Sequence, residues 1–233
     1  MLVAPLPSNE SERLKSLADH NLLDTLPEEV YDDITRLAAE ICGTPIAAIN
    51  LIADNHQWPK SAHEQEEGSV GIPVREYLTG SRDNSFCAHT ILNPNEALIV
   101  PDARYDERFA DNPFTLGDPQ LIFYAGVPVK DAEGRALGSL CVIDSRPREL
   151  SEHKLESLKA LAKLVNTHFQ LRRTKLELEK KQRQVTAAQP ILQTMIQTIG
   201  SMQSTNNSDE IKQVNSLLES AKSLQHVLDE TPA

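Results

Sequence analysis

The run Ser85-Phe86-Cys87-Ala88-His89 sets a thiol and an imidazole two residues apart, directly after side chains able to cap a helix. If Asn84 or Ser85 caps a short helix through Ile91, Cys87 falls in its first turn, where unpaired N–H groups and the helix dipole favour a thiolate. Such a thiolate can be oxidised or bind a metal. The same spacing puts Cys87 and His89 about 200° apart around a regular helix, so one ion cannot take both. The alternative is packing, with Cys87 a small core residue beside a histidine bonded to backbone or carboxylate. A second thiol, Cys141, lies in an apolar run where period two sets Leu137, Ser139, Cys141 and Ile143 on one face and Leu140, Val142 and Asp144 on the other. Tyr124, in a neighbouring run, carries a hydroxyl that needs a partner if buried.

The elements that must hold these groups can be traced along the chain. Ser8 can cap a first helix with Leu14, Leu17 and Ala18 on one side, ending near Leu22-Leu23. Thr25 and Pro27 mark the start of a second, whose Val30, Ile34, Leu37, Ala38 and Ile41 recur at helical spacing and which Gly43 can stop. Pro45 to Ala53 reads as a strand buried on both faces, interrupted only by Asn50; Asp54-Asn55 turns the chain into a hairpin partner, His56 to Ala62. The acidic, glycine-containing stretch His63 to Asn84 reads as a long loop of the lid type. Ala97 to Val100 is a brief strand, and Phe123–Val129 pairs antiparallel with Ala136–Asp144 across Asp131-Ala132-Glu133-Gly134.

Ser151 caps a long helix with two apolar stripes: Leu155, Leu158, Ala162, Val165 and Phe169, and beside it Leu161, Leu164, His168 and Leu171. One stripe suffices to cover a sheet, so the second predicts a partner. Lys175 to Gln184 is almost wholly polar, a solvated helix or coiled-coil overhang, and Pro190 is expected to interrupt or kink it. Ile191 to Met202 and Ile211 to Leu228 read as a helical hairpin around Ser204–Ser208, with apolar faces too wide to leave in water.

Composition bounds the function. The 233 residues include 39% hydrophobic and 24% charged, enough for one core and an extension: a disordered or extended start over 1–8, a domain over 9–170 and a helical tail over 171–233. A net charge of −11 disfavours nucleic acid or an anionic membrane as partner. Three widely spaced cysteines, Cys42, Cys87 and Cys141, with no C-x-x-C pair, point away from a disulfide scaffold or structural zinc and toward a reducing cytoplasm. The start lacks a basic region, and nowhere do eighteen apolar residues run together, so export and membrane spanning are disfavoured.

Four ordered phrases, Gln57-Trp58-Pro59-Lys60-Ser61, Ser85-Phe86-Cys87-Ala88-His89-Thr90-Ile91, Phe123-Tyr124-Ala125-Gly126-Val127-Pro128 and Leu137-Gly138-Ser139-Leu140-Cys141-Val142-Ile143-Asp144, resemble the GAF family of sensory domains over about Asn9 to Phe169. The resemblance implies an α+β, PAS-related antiparallel sheet flanked by helices, one face lining a ligand cavity and the other packing the terminal helices. It implies that Cys87, His89, Tyr124, Ser139 and Cys141 line that cavity, and that Arg104 and Arg108, in the connection that closes over it, pair with a ligand carboxylate or phosphate; a solvated loop face is the other reading of the two arginines. Cyclic-nucleotide binders of the family carry a phenylalanine four residues before an Asp-Glu pair. Here Asp106-Glu107, Asp209-Glu210 and Asp229-Glu230 have Asp102, Thr205 and Gln225 there. Bilin attachment usually sets histidine next to the cysteine, where Ala88 stands.

The expectation is therefore a non-enzymatic cytoplasmic module, its cofactor unknown, that binds a small ligand or senses redox state and signals through a dimerising helical tail to another protein. A thiol reductase resembling the free methionine sulfoxide reductases requires Cys87 and Cys141 to meet; a ligand-free dimeric adaptor requires a filled interior.

Overall fold

The computed structural model describes residues 1–65, 71–117, 120–201, 212, 215–219 and 221–223. The chain divides into two compact units, Met1–Arg173 and Thr174–Ala233. In the first, α1 (Glu10–Asp19) and α2 (Glu29–Cys42) precede the hairpin β1 (Ile46–Ile52) and β2 (His56–Glu64). Then come α3 (Val74–Leu78), β3 (Gly80–Ser81), a 3₁₀ turn at Arg82–Asn84, α4 (Phe86–Thr90), β4 (Leu98–Val100), a second 3₁₀ turn at Ala103–Tyr105 and α5 (Pro113–Leu116). The hairpin β5 (Phe123–Lys130) and β6 (Ala136–Asp144) leads into α6 (Glu152–Ser201). The six strands form one sheet in the order β3-β2-β1-β6-β5-β4, with each neighbouring pair antiparallel.

Alternation along the central strands separates two cores. Ala47, Ile49 and Leu51 of β1, Phe123, Ala125 and Val127 of β5, and Leu140 and Val142 of β6 share a cluster with α1, α2 and the Leu158, Ala162, Val165 and Phe169 stripe of α6. Ile46, Ala48 and Ile52, Tyr124, and Cys141 and Ile143 face the opposite way, onto α3, α4 and the loop carrying Phe109 and Leu121. Gly43 ends α2 in the left-handed region at φ +67°, while the Thr44 N–H returns to the Ala39 carbonyl.

Several local expectations change. Helix α1 buries Arg13, Ser16, Leu17 and His20, whereas Ala18 is exposed. Arg13 donates to the Ile52 carbonyl and to the Glu10 carboxylate, and Ser16 donates to Asp131, while the Nε2 of His20 has no hydrogen-bond partner among the described residues. No side chain caps α1, and it ends at Asp19 rather than near Leu22. Thr25 does not cap α2, which starts four residues later; its hydroxyl accepts from the fully buried Lys60 ammonium at 2.6 Å. Lys60 stands at a register break in β2, where Ile49 pairs with Ser61 but Asn50 with Pro59. A second break, opposite Val129/Lys130, inserts Leu137 and turns it to the helix-covered face, away from Ser139 and Cys141. The segment predicted as one long loop contains α3, β3 and a 3₁₀ turn among its described residues.

Helix α6 continues through Pro190. Proline brings no N–H to the helix, and the Thr194 hydroxyl donates to the Pro190 carbonyl at 2.9 Å. In the second unit Leu192 and Ala221 are buried, while Leu178, Ile191, Met195 and Leu217 are exposed. The predicted hairpin loop Ser204–Ser208 lies outside the described residues.

Candidate functional site

The chemistry-bearing groups converge where α4 lies on the β1–β6–β5 face. Ser85 caps α4, its hydroxyl accepting from the Ala88 N–H at 3.0 Å, which sets Cys87 in the first turn pointing at the sheet. Cys141 stands on β6 opposite Ala48 and Gly126, and the two sulfurs are 4.0 Å apart. Cys87 is 2% exposed and Cys141 fully buried. Both are thiols, as is Cys42, which lies in the other core.

Polar side chains close around the pair. The Asn50 amide donates to Cys87 at 3.4 Å and to Cys141 at 3.6 Å. The Tyr124 hydroxyl donates to Cys87 at 3.3 Å and bonds Ser139 at 3.2 Å and Thr90 at 2.7 Å. Tyr124 can lean over the sheet because residue 126 is glycine: a Cβ there would overlap the phenol oxygen. Burial pushes the Cys87 thiol up, but hydrogen bonds from Cys141, Ser139, Tyr124 and Asn50 favour the thiolate and bring it down to about 7. Cys141 moves the other way, well above the ordinary thiol value, because it holds its proton against Cys87 and is itself buried. The pair thus divides into one sulfur prone to ionise and one that keeps its hydrogen.

Four of the seven predicted site residues, Cys87, Tyr124, Ser139 and Cys141, meet here; three do not. His89 leaves α4 on the other side, its Nε2 3.0 Å from the Leu2 carbonyl and its ring edge-on to Phe109. Arg104 is paired with Asp102 and Arg108 with Asp106, both in the connection after β4. Sequence reasoning missed Asn50, Thr90 and Gly126. Asn50 was visible as the one polar residue in a strand buried on both faces, and that was the available signal.

The expected hollow is nearly filled. Beside Cys87 a void of about 10 Å³ remains, with Asn50, Gln57, Phe86 and Tyr124 in its wall; that is room for about one water-sized molecule. Among the described residues no helix is long and apolar enough to cross a membrane.

Comparison with known proteins agrees with this architecture. A family model described as GAF domain matches residues 26–169. A cyclic di-GMP phosphodiesterase of Pseudomonas aeruginosa is 39% identical over 166 residues; the match takes in 71% of this chain but 26% of that protein, so the chain spans about a quarter of its curated relative. Among solved structures, the phytochrome photosensory core module of Stigmatella aurantiaca superposes with a TM-score of 0.53 at 10% identity, over 81% of this chain and 42% of that one. The GAF domain of an Acinetobacter phosphoenolpyruvate-protein phosphotransferase gives 0.48 at 17%, over 70% and 94%.

Proposed function

Because this chain belongs to the GAF domain family, a family of sensory modules, we propose that it is a non-enzymatic redox sensor whose cue-reading element is the Cys87–Cys141 dithiol. The observation that carries this is the 4.0 Å approach of two buried sulfurs with opposite proton preferences. A disulfide needs about 2.05 Å between sulfurs, so closing it draws α4 and β6 together by a fraction of the present gap. The cytoplasm is the setting in which such a pair rests reduced. The curated relative is named a phosphodiesterase, and the segment it shares with this chain is read as regulatory rather than hydrolytic.

Output passes through the helices to a second copy or another protein. Leu164 and Leu171 of α6 and Leu37 and Ile41 of α2 are exposed, while Leu158, Ala162, Val165 and Phe169 of the neighbouring stripe of α6 are buried. The two helices lie side by side, with Lys154 donating to the Cys42 carbonyl and Tyr31 against His168 and Phe169. These apolar groups support dimerisation through that face.

The filled interior supports a second reading, a ligand-free dimeric adaptor. The reductase reading shares the thiol pair but needs room for an amino-acid substrate beside Cys87. Sedimentation of the full chain, reduced and after mild oxidation, separates these. The sensor changes its association or helix spacing with oxidation, the adaptor is dimeric in both states, and a monomer unchanged by oxidation defeats both.

A further inference from the structure

The void at Cys87 also names the class of oxidant, given the redox reading above. Its wall is formed in part by Cys87, by Tyr124, whose hydroxyl is a donor, and by Asn50, whose side-chain carbonyl oxygen is buried and has no hydrogen-bond partner among the described residues. Asn50 is 1% exposed, and its amide nitrogen is committed to the two sulfurs, so the orphaned oxygen asks for a donor from whatever enters. Cys141 is not in that wall but lies behind Cys87. We infer that the site admits hydrogen peroxide, both donor and acceptor and one oxygen longer than the water the void now fits, once the Leu78 and Phe114 side chains in its wall give way by that one atom, that Cys87 is the sulfur attacked first, and that Cys141 resolves it.

The steps balance. The Cys87 sulfur attacks one peroxide oxygen, the S–O bond forms as the O–O bond breaks, and the leaving hydroxide combines with the thiol proton as water. The Cys141 sulfur then displaces the hydroxyl from Cys87, the S–S bond forms, and the second water carries off the Cys141 proton. Two thiols lose two electrons and one peroxide becomes two waters. Asn50 accepts from the peroxide O–H, and Tyr124 donates to the leaving oxygen. A bulky hydroperoxide or a glutathione disulfide cannot reach Cys87 without opening α3 and α5, which carry Leu78 and Phe114 over the void.

The experiment follows loss of the Cys87 and Cys141 thiols in the native full chain under hydrogen peroxide, cumene hydroperoxide and oxidised glutathione at equal concentration, with the urea-unfolded chain as the reference for intrinsic reactivity. The expected result is a folded-state preference for hydrogen peroxide of about 100-fold beyond that in urea, equivalent to about 2.7 kcal/mol. Asn50→Ala is expected to slow the peroxide reaction about tenfold and to leave the urea rate unchanged, on the usual weight of one buried hydrogen bond. Equal folded-state preference for the three oxidants overturns the size selection while leaving the sensor reading intact. A folded chain that forms no Cys87–Cys141 disulfide with any of them overturns both.

Discussion

The phenol of Tyr124 occupies the space where a side chain at Gly126 would stand, so the glycine is what lets the hydroxyl reach Cys87 and Ser139. Gly126→Ala therefore forces the ring aside or spreads the sheet. An overpacking cost of about 1–3 kcal/mol is expected, read as a lower urea midpoint with an unchanged slope.

Tyr124→Phe keeps the ring and removes the donor. The Tyr124 hydroxyl supports the Cys87 thiolate, so its loss raises the Cys87 pKa from about 7. Thiolate ultraviolet absorbance of the folded chain against pH is expected to move its lower midpoint upward, a rise of one unit cutting the thiolate fraction at pH 7 from about one half to about one tenth. The sign for stability follows from the same group. Its folded value lies below the ordinary 9.0, so the contribution is complete above 9.0 and is lost as pH falls through about 7.

Glu10 governs the acid side. Burial raises its pKa, but hydrogen bonds and charge from Arg13 and Arg82 prevail and hold it at about 2, against an ordinary 4.5. Its contribution is present above pH 4.5 and disappears as pH falls toward 2. Glu10→Gln is expected to flatten urea stability over that window. It is also expected to cost about 3 kcal/mol at neutral pH, because the buried Arg13 and Arg82 lose their shared counter-charge.

The fold was readable because its signals are local. The Leu158–Phe169 stripe, the apolar run of β1, the turn at Asp131–Gly134 and Gly43 each state their role through period or backbone preference. What escaped depends on long-range pairing. Arg13, Ser16 and His20 look like a solvent face until Ile52, Asp131 and the Phe169 ring are brought against them. Leu137 obeys period two with Cys141 until the inserted residue flips it. At the site, Cys87 and Cys141 were identifiable as the only thiols able to meet. His89 and the two arginines carried the right chemistry in the wrong direction, since a short helix and a loop leave side-chain heading to tertiary contacts.

Leu164 and Leu171 offer a direct test of the helix face. Leu164→Glu with Leu171→Glu leaves the buried stripe untouched, so the fold is expected to persist by circular dichroism while any dimer dissociates in sedimentation. Unchanged association would place the contact elsewhere.

Cys87 and Cys141 must work as a dithiol for the protein to sense redox state. Peptide mapping by mass spectrometry of the native full chain after brief hydrogen peroxide treatment addresses it most directly. The predicted result is a Cys87–Cys141 disulfide with Cys42 still a free thiol. Three intact thiols, or oxidation falling first on Cys42, would contradict it.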